Sequence, residues 1–207
     1  MFLNDLFEND GAGTLVVYPG RFQPFHKGHR AVYDYLVKKF SRDSVFIASS
    51  NKVEPPRSPF SFSEKTQFMA LTGVPLDRVV QSTQPYKAEE ITANYNPAAT
   101  KLIFAVSEKD MAEDPRFKSW TKRDGTPSYF QPMPANPASM KTFDQHGYIM
   151  VVPTFPFTLL GRPMTSATEV RKKFAAADEE TQKAIVQDLF GDYNDQVLHI
   201  LQTKLTG

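Results

Sequence analysis

Residues 14–40 read TLVVYPGRFQPFHKGHRAVYDYLVKKF. The opening TLVVYPG (14–20) is a short β-branched and apolar run closed by Pro-Gly, which predicts a buried strand. The end, HKGHRAVYDYLVKKF, places Val32, Tyr35, Leu36 and Lys39 or Phe40 at helical spacing. Basic residues fill its last turn, as a helix C-terminus favours. Between the two, Gly20 permits a tight turn and Pro24 constrains the backbone. A strand that runs through a short loop into a helix is the repeating unit of a parallel sheet.

The pattern continues downstream. SVFIASS (44–50), DRVVQS (77–82), TKLIFAVS (100–107) and YIMVVPT (148–154) read as four more strands. NKVEPPRSPFSF is a Pro-rich loop, and Ser63 is expected to cap the helix EKTQFMALTG that ends at Gly73. A short helix is expected around KAEEITANY. TSATEVRKKFAAAD, EETQKAIVQDLF and DQVLHILQTKL predict helices that finish the chain. The fold class is α/β: a Rossmann-like, doubly wound parallel sheet of about five strands with C-terminal helices. Right-handed crossovers put the strand C-termini along one edge, where such sheets bind ligands.

The 207 residues suit a single domain spanning 1–207, with an irregular insertion at about 111–147 and a helical C-terminal segment at about 166–207. Residues 111–147 are rich in Pro and polar residues and lack periodicity, and a stretch this long is usually functional. Apolar residues make up 41% and charged residues 23%, enough apolar material for a core. The net charge of +1 gives no sign of a nucleic-acid-binding face. The basic and aromatic run RFKSWTKRDGTPSYF reads better as a substrate lid than as a single-strand binding surface. The absence of cysteine excludes disulfides and thiolate metal sites. No apolar run approaches the roughly 20 residues needed to span a bilayer. MFLNDLFENDGAG carries acids and lacks a basic leader, so a cytoplasmic protein is expected, with Phe2, Leu3, Leu6 and Phe7 on one face of a short packed helix. The sequence leaves room for a homo-oligomer.

The chemistry concentrates in the first loop. His26 and His29 are two of only four histidines and fall in or beside the first helical turn. Residues three apart on a helix share a face. Gly28 between them removes a side chain and opens the backbone to a ligand. The helix N-terminus offers free N–H groups and partial positive charge, to which Arg21 and Lys27 add. An anion is favoured, and a polyphosphate best of all. TSATEVRKK (165–173) repeats the logic: Thr165 or Ser166 caps a helix, Ser166 and Thr168 offer hydroxyls, and Arg171 lies on the same face as Thr168. It follows the last predicted strand and so opens at the same sheet edge as His26. His146 and His199 receive no functional role.

GRFQPFHKGH together with TSATEVR resembles the nucleotidylyltransferase superfamily, whose members carry H-x-G-H after the first strand and S-x-T-x-x-R late in the chain. The G-R-F-Q-P-F form is most similar to archaeal-type nicotinamide mononucleotide adenylyltransferases. ASSNKVEPPRSPFSFSEK resembles the segment of that group that ends in Arg-x-Pro-Phe, matched here by Arg57. The resemblance implies transfer of a nucleoside monophosphate, AMP from ATP first, to a small phosphorylated acceptor such as nicotinamide mononucleotide, with release of pyrophosphate. It implies catalytic roles for His26, His29 and Arg171. Nucleotide binding falls to Gly20, Arg21, Phe22, Lys27, Gly28, Arg57, Ser166 and Thr168. Mg²⁺ is expected on the nucleotide phosphates, with no dedicated protein metal site. For the acceptor, VSEKDMAEDPRFKSW resembles the bacterial branch, which points to Asp110 and Trp120. A cytidylyltransferase for a sugar, alditol or choline-like phosphate is the nearest rival. A non-catalytic nucleotide-binding module is the rival from another class.

Overall fold

The computed structural model describes residues 13–113, 120–164 and 166–206. The expected N-terminal helix, Thr165 and the middle of the 111–147 segment lie outside the described residues.

Each predicted strand forms. They are β1 (Gly13–Pro19), β2 (Val45–Ser49), β3 (Val79–Gln81), β4 (Thr100–Ser107) and, after a strand β5 at Phe130–Pro132, β6 (Gly147–Val152). All six join one sheet in the order β3-β2-β1-β4-β6-β5. The pairs β1–β2, β1–β4, β4–β6 and β5–β6 are parallel, with Val16 opposite Val45 on one side and Ile103 on the other. The chain winds outward through β1, β2 and β3, then returns past β1 to β4. The order therefore reverses between β1 and β4, the place where doubly wound sheets open a crevice.

Burial explains the apolar runs. Leu15, Val16 and Val17 of β1 have no accessible surface, and β4 is buried from Thr100 to Val106. A parallel sheet covered on both faces needs such continuous runs rather than alternation.

The chain groups into two compact units. The sheet unit takes the described residues of 13–19, 32–48 and 84–154, with helices α3 (Glu89–Thr92) and α4 (Glu108–Glu113). The second unit takes 20–31, 49–83 and 155–206. It holds β3, the start of α1 (Lys27–Phe40), α2 (Phe62–Leu71), a hairpin of β7 (Phe157–Leu159) and β8 (Arg162–Met164), and the helices α5 (Ala167–Ala175), α6 (Glu179–Phe190) and α7 (Asp195–Leu205). Its aromatic core stacks Phe68 on Phe190 at 5.4 Å and sets Phe60 edge-on to Phe68 at 5.0 Å. Side chains of Ser166, Asp178 and Asn194 cap α5, α6 and α7.

Three details differ from the sequence reading. The sheet has a sixth strand, β5, drawn from the segment read as irregular. It is three residues long and ends in Pro132, which an edge strand tolerates but periodicity does not reveal. A hairpin, β7–β8, is additional to the strands that the sequence predicts; Leu160 and Gly161 both have positive φ, the turn geometry that two-residue hairpins favour. The cap of α2 is Ser61 rather than Ser63. Ser61 accepts from the Glu64 N–H while the Glu64 carboxylate accepts from the Ser61 N–H, the reciprocal box that the spacing S-x-x-E allows. No helix among the described residues is long and apolar enough to cross a membrane.

Candidate active site

The candidate site is built in the second unit, on the loop after β1. Gly20 begins it. A Cβ there would come within 2.6 Å of the Phe22 ring, so only glycine lets that ring fold back over the turn. Phe22 itself holds a φ of 48°, a left-handed conformation rare for a bulky residue and the kind of strain that collects at functional turns. Gln23 then acts as a splint. Its amide donates to the Phe60 carbonyl at 3.0 Å and accepts from the Phe60 N–H at 2.9 Å, pairing the loop with a distant backbone as a strand would.

The helix starts at His26, whose carbonyl accepts the first helical bond from the Arg30 N–H at 3.0 Å. His26 is therefore the N-cap and His29 the third helical residue. His26 Nδ1 accepts from the His29 N–H at 3.4 Å, and His29 Nδ1 accepts from the His26 N–H at 3.3 Å. This is a capping box made from two imidazoles. The H-x-G-H spacing is what closes it.

The box fixes the chemistry of both rings. An Nδ1 that accepts a hydrogen bond in a neutral imidazole leaves the proton on Nε2. Both histidines are held neutral. Burial, followed by the neighbouring His29, drives His26 well below the usual imidazole value, and burial pushes His29 down to about 3. The rings stack at 3.7 Å between centroids, so two charges there would repel strongly. Each ring thus presents one Nε2–H donor.

Aromatic neighbours set the ring planes. Phe22 meets His29 edge-on at 5.1 Å, Phe25 lies 5.4 Å from it, and Phe157 of β7 stacks on His26 at 4.3 Å. A Cβ on Gly28 would lie 3.0 Å from Phe157 and 3.1 Å from His26, so this glycine first makes room for the two rings. Beside it opens a cleft of about 530 Å³ whose lining includes Lys27, Gly28, Phe157 and Pro163.

The cations divide into two groups. Arg171 donates to the Gln23 carbonyl at 2.5 Å and to the Thr168 hydroxyl at 3.4 Å, which brings the S-x-T-x-x-R helix onto the first loop. Burial, and then the nearby Arg21 charge, lower the Arg171 pKa. Positive charge from Arg21 is thus gathered beside Arg171 at this helix start. Lys27, by contrast, is bound: its ammonium meets the Asp188 carboxylate at 2.9 Å, while the other carboxylate oxygen accepts from the Leu160 N–H at 2.6 Å. Asp188 so ties α6 to both the helix start and the hairpin tip. The Ser166 hydroxyl oxygen accepts from the Glu169 N–H at 3.3 Å, and Arg57 stands exposed in its Pro-rich loop.

Asp110 and Trp120 belong to the sheet unit. Asp110 lies in the first turn of α4, where its carboxylate accepts from the Ser107 hydroxyl at 2.9 Å. Burial first, and then the Asp110 and Tyr86 charges, raise the pKa of Tyr18 at the end of β1. The Trp120 carbonyl accepts from the Ser128 N–H and the Gln131 amide, both at 2.9 Å. Among the described residues no group of three or more His, Asp or Glu side chains forms a metal cluster. Sequence reasoning missed Gln23, Phe157, Asp188 and the capping-box geometry. Only the last had a local signal, the spacing itself.

The chain is an α/β protein whose first loop pairs two imidazole donors and meets a second helix start bearing arginine. The cytidylyltransferase-like family model matches residues 17–129, and the chain belongs to that family. A nicotinamide-nucleotide adenylyltransferase of Sulfurisphaera tokodaii is 22% identical over 84% of this chain and 87% of its own length. One from Sulfolobus acidocaldarius is 35% identical over 31% of this chain, a match spanning only 39% of that relative. A bifunctional NMN adenylyltransferase/ADP-ribose pyrophosphatase from Francisella tularensis, solved with AMP and a manganese ion, shares the fold with a TM-score of 0.51 at 19% identity. The match covers 93% of this chain and 48% of that one.

Proposed function

We propose that the protein is an adenylyltransferase that moves AMP from ATP to a small phosphorylated acceptor, nicotinamide mononucleotide first, and releases pyrophosphate. The single observation that carries this reading is the capping box, which points two neutral Nε2–H donors from one helix start. The adenylyltransferase names of the relatives support the choice of donor and acceptor.

An acceptor phosphate oxygen attacks the α-phosphorus. The new P–O bond forms as the bond from the α-phosphorus to the bridging oxygen of pyrophosphate breaks, and the leaving electron pair stays on pyrophosphate. The attacking phosphate is already anionic, so no general base is required. Negative charge grows on the transferred and leaving oxygens. His26 and His29 donate to those oxygens without losing a proton, since they are neutral donors. Arg21 and Arg171 take the β and γ phosphates between them, with the Thr168 and Ser166 hydroxyls beside them and Arg57 at the rim. Gly28 and Phe157 border the cleft proposed for the base. The described residues form no metal cluster of their own, so an Mg²⁺ ion, when bound, would come with the substrates and would supply charge neutralisation on the leaving group. Preorganised donors of this kind are worth about 10²–10³ in rate each. Asp110 and Trp120 are assigned to the acceptor.

Incubation with each of ATP, CTP, GTP and UTP plus nicotinamide mononucleotide, and then with a panel of sugar, alditol and choline phosphates, tests the reading. Pyrophosphate release is expected with ATP and nicotinamide mononucleotide. Release only with CTP and an alditol phosphate would replace the assignment with a cytidylyltransferase, and no release with any pair would leave a binding module. Trp120→Ala is expected to raise the KM of the acceptor and leave that of ATP unchanged.

A further inference from the structure

Lys65, on α2, has no accessible surface and no carboxylate within ion-pair range among the described residues. Its ammonium donates to the Ser49 hydroxyl at 2.7 Å and to the Ser50 carbonyl. The Ser49 hydroxyl in turn donates to the Gly20 carbonyl at 2.9 Å. We propose that Lys65 is a positioning residue for the phosphate-binding turn, acting on the Gly20–Arg21 peptide through Ser49.

The direction of the relay is forced. An ammonium has donors only, so the Ser49 oxygen must accept from it, and the single hydroxyl proton is left for Gly20. A hydroxyl polarised by a cation is also a stronger donor. A peptide is planar and trans, so fixing the Gly20 carbonyl fixes the Arg21 N–H, which points the opposite way within the same plane. Phe22, with its positive φ, follows at once. Gln23 is held from the far end of the loop by Phe60 and Arg171. Ser49 and Lys65 are thus the tie at the near end.

Packing alone does not account for a lysine here. Methionine or leucine fills a buried site of this length at far lower cost than an ammonium that lacks a counter-ion. Burial pushes Lys65 down to about 8, which leaves it mostly charged at neutral pH. What the apolar residues lack is the ability to donate twice, to a hydroxyl and a carbonyl at once. None of the Lys65 bonds described leads to a phosphate-binding side chain, so its effect on catalysis runs through the backbone.

The inference rests on the adenylyl-transfer reading for its activity assay, so the test carries a second measurement that needs no substrate. Lys65→Met, Lys65→Arg and Ser49→Ala are prepared in the full chain. In ¹H–¹⁵N spectra of the free protein, the Arg21 and Phe22 amide resonances are expected to move in Lys65→Met and Ser49→Ala, and to return toward wild type in Lys65→Arg. In pyrophosphate assays, Lys65→Met and Ser49→Ala are each expected to lower kcat by about tenfold or more with little change in acceptor KM. The double variant is expected to be no worse than either single one, because both break the same relay. Unmoved Arg21 and Phe22 resonances, or additive losses in the double variant, overturn the proposal. If Lys65→Met does not fold, Ser49→Ala, which keeps the lysine, decides on the same resonances. A wild-type protein inactive toward every substrate pair sinks the adenylyl-transfer reading alone, since the spectra still decide the relay.

Discussion

His26 and His29 cap one another: each Nδ1 accepts the other's backbone N–H, at 3.4 and 3.3 Å, while the rings stack at 3.7 Å. One device therefore stabilises the helix start and selects the tautomer that presents Nε2–H. The same spacing that a serine and a glutamate use to close α2 is used here with imidazoles, and the gain is a pair of donors left over.

The first prediction separates these two roles. Asparagine places a side-chain oxygen near the position of Nδ1 and has nothing at Nε2. His29→Asn is expected to retain the cap and most of the stability, yet to lose about 10²–10³ in kcat, as alanine does. His29→Ala is expected to lose in addition about 1 kcal/mol of stability with the cap. Urea denaturation and pyrophosphate release together check this. Full activity in His29→Asn would remove Nε2 from the mechanism.

The second concerns pH. Both histidines are neutral in the folded protein, and His29 is held down to about 3. Their folded values lie below the unfolded value of about 6.5, so the unfolded chain binds protons first as pH falls. Their contribution to stability is complete above pH 6.5 and is lost as pH drops toward the folded values. Between pH 6.5 and 5 the unfolding free energy is expected to fall by up to about 1.4 kcal/mol per pH unit for each histidine. His29→Asn is expected to flatten that slope, and NMR titration of the imidazoles to show no protonation of His29 down to pH 5.

Much of this site is legible along the chain. The strands β1, β2, β4 and β6 are long apolar runs, and the two helix starts carry their histidines, hydroxyls and arginine within a few residues of one another. Local chemistry suffices for such features. The features that stayed hidden join residues far apart in the chain. Lys27 reads as one more free cation at the phosphate site, and only the fold reveals Asp188, 161 residues away, as its partner. Phe157 reads as part of an unremarkable PTFPFT segment, because its partner is a ring at the other end of the chain. β5 has three residues and no period to detect.

The third prediction tests the shape of the turn. A methyl group on Gly20 would meet the Phe22 ring at 2.6–2.9 Å, and that ring is wedged edge-on against His29. The ring cannot swing away without disturbing the histidine. Gly20→Ala is expected to cost about 1–3 kcal/mol of stability, the range for overpacked sites, and to lower kcat with it. In Gly20→Ala/Phe22→Ala the clash is gone, so stability is expected to recover relative to the sum of the single losses. Chemical denaturation of the three variants reads this directly.

The fourth prediction concerns Asp188. Its pairing with Lys27 is part-exposed, with about a third of each side chain accessible, so the pair itself is worth little, on the order of 1 kcal/mol or less. Asparagine at this position keeps an oxygen for the Leu160 N–H, so the hairpin tip stays tied. It removes only the negative charge beside the proposed phosphate site. Asp188→Asn is expected to leave the melting temperature within a few degrees of wild type. It is expected to lower the KM for the nucleoside triphosphate several-fold, because Lys27 then keeps only the Asp188 backbone carbonyl at 3.2 Å, and its charge can serve a phosphate. Attraction between unpaired charges is screened by salt, so the gain should shrink as ionic strength rises from 0.05 to about 0.5 M. An unchanged or raised KM in Asp188→Asn would mean that Lys27 serves the hairpin rather than the nucleotide.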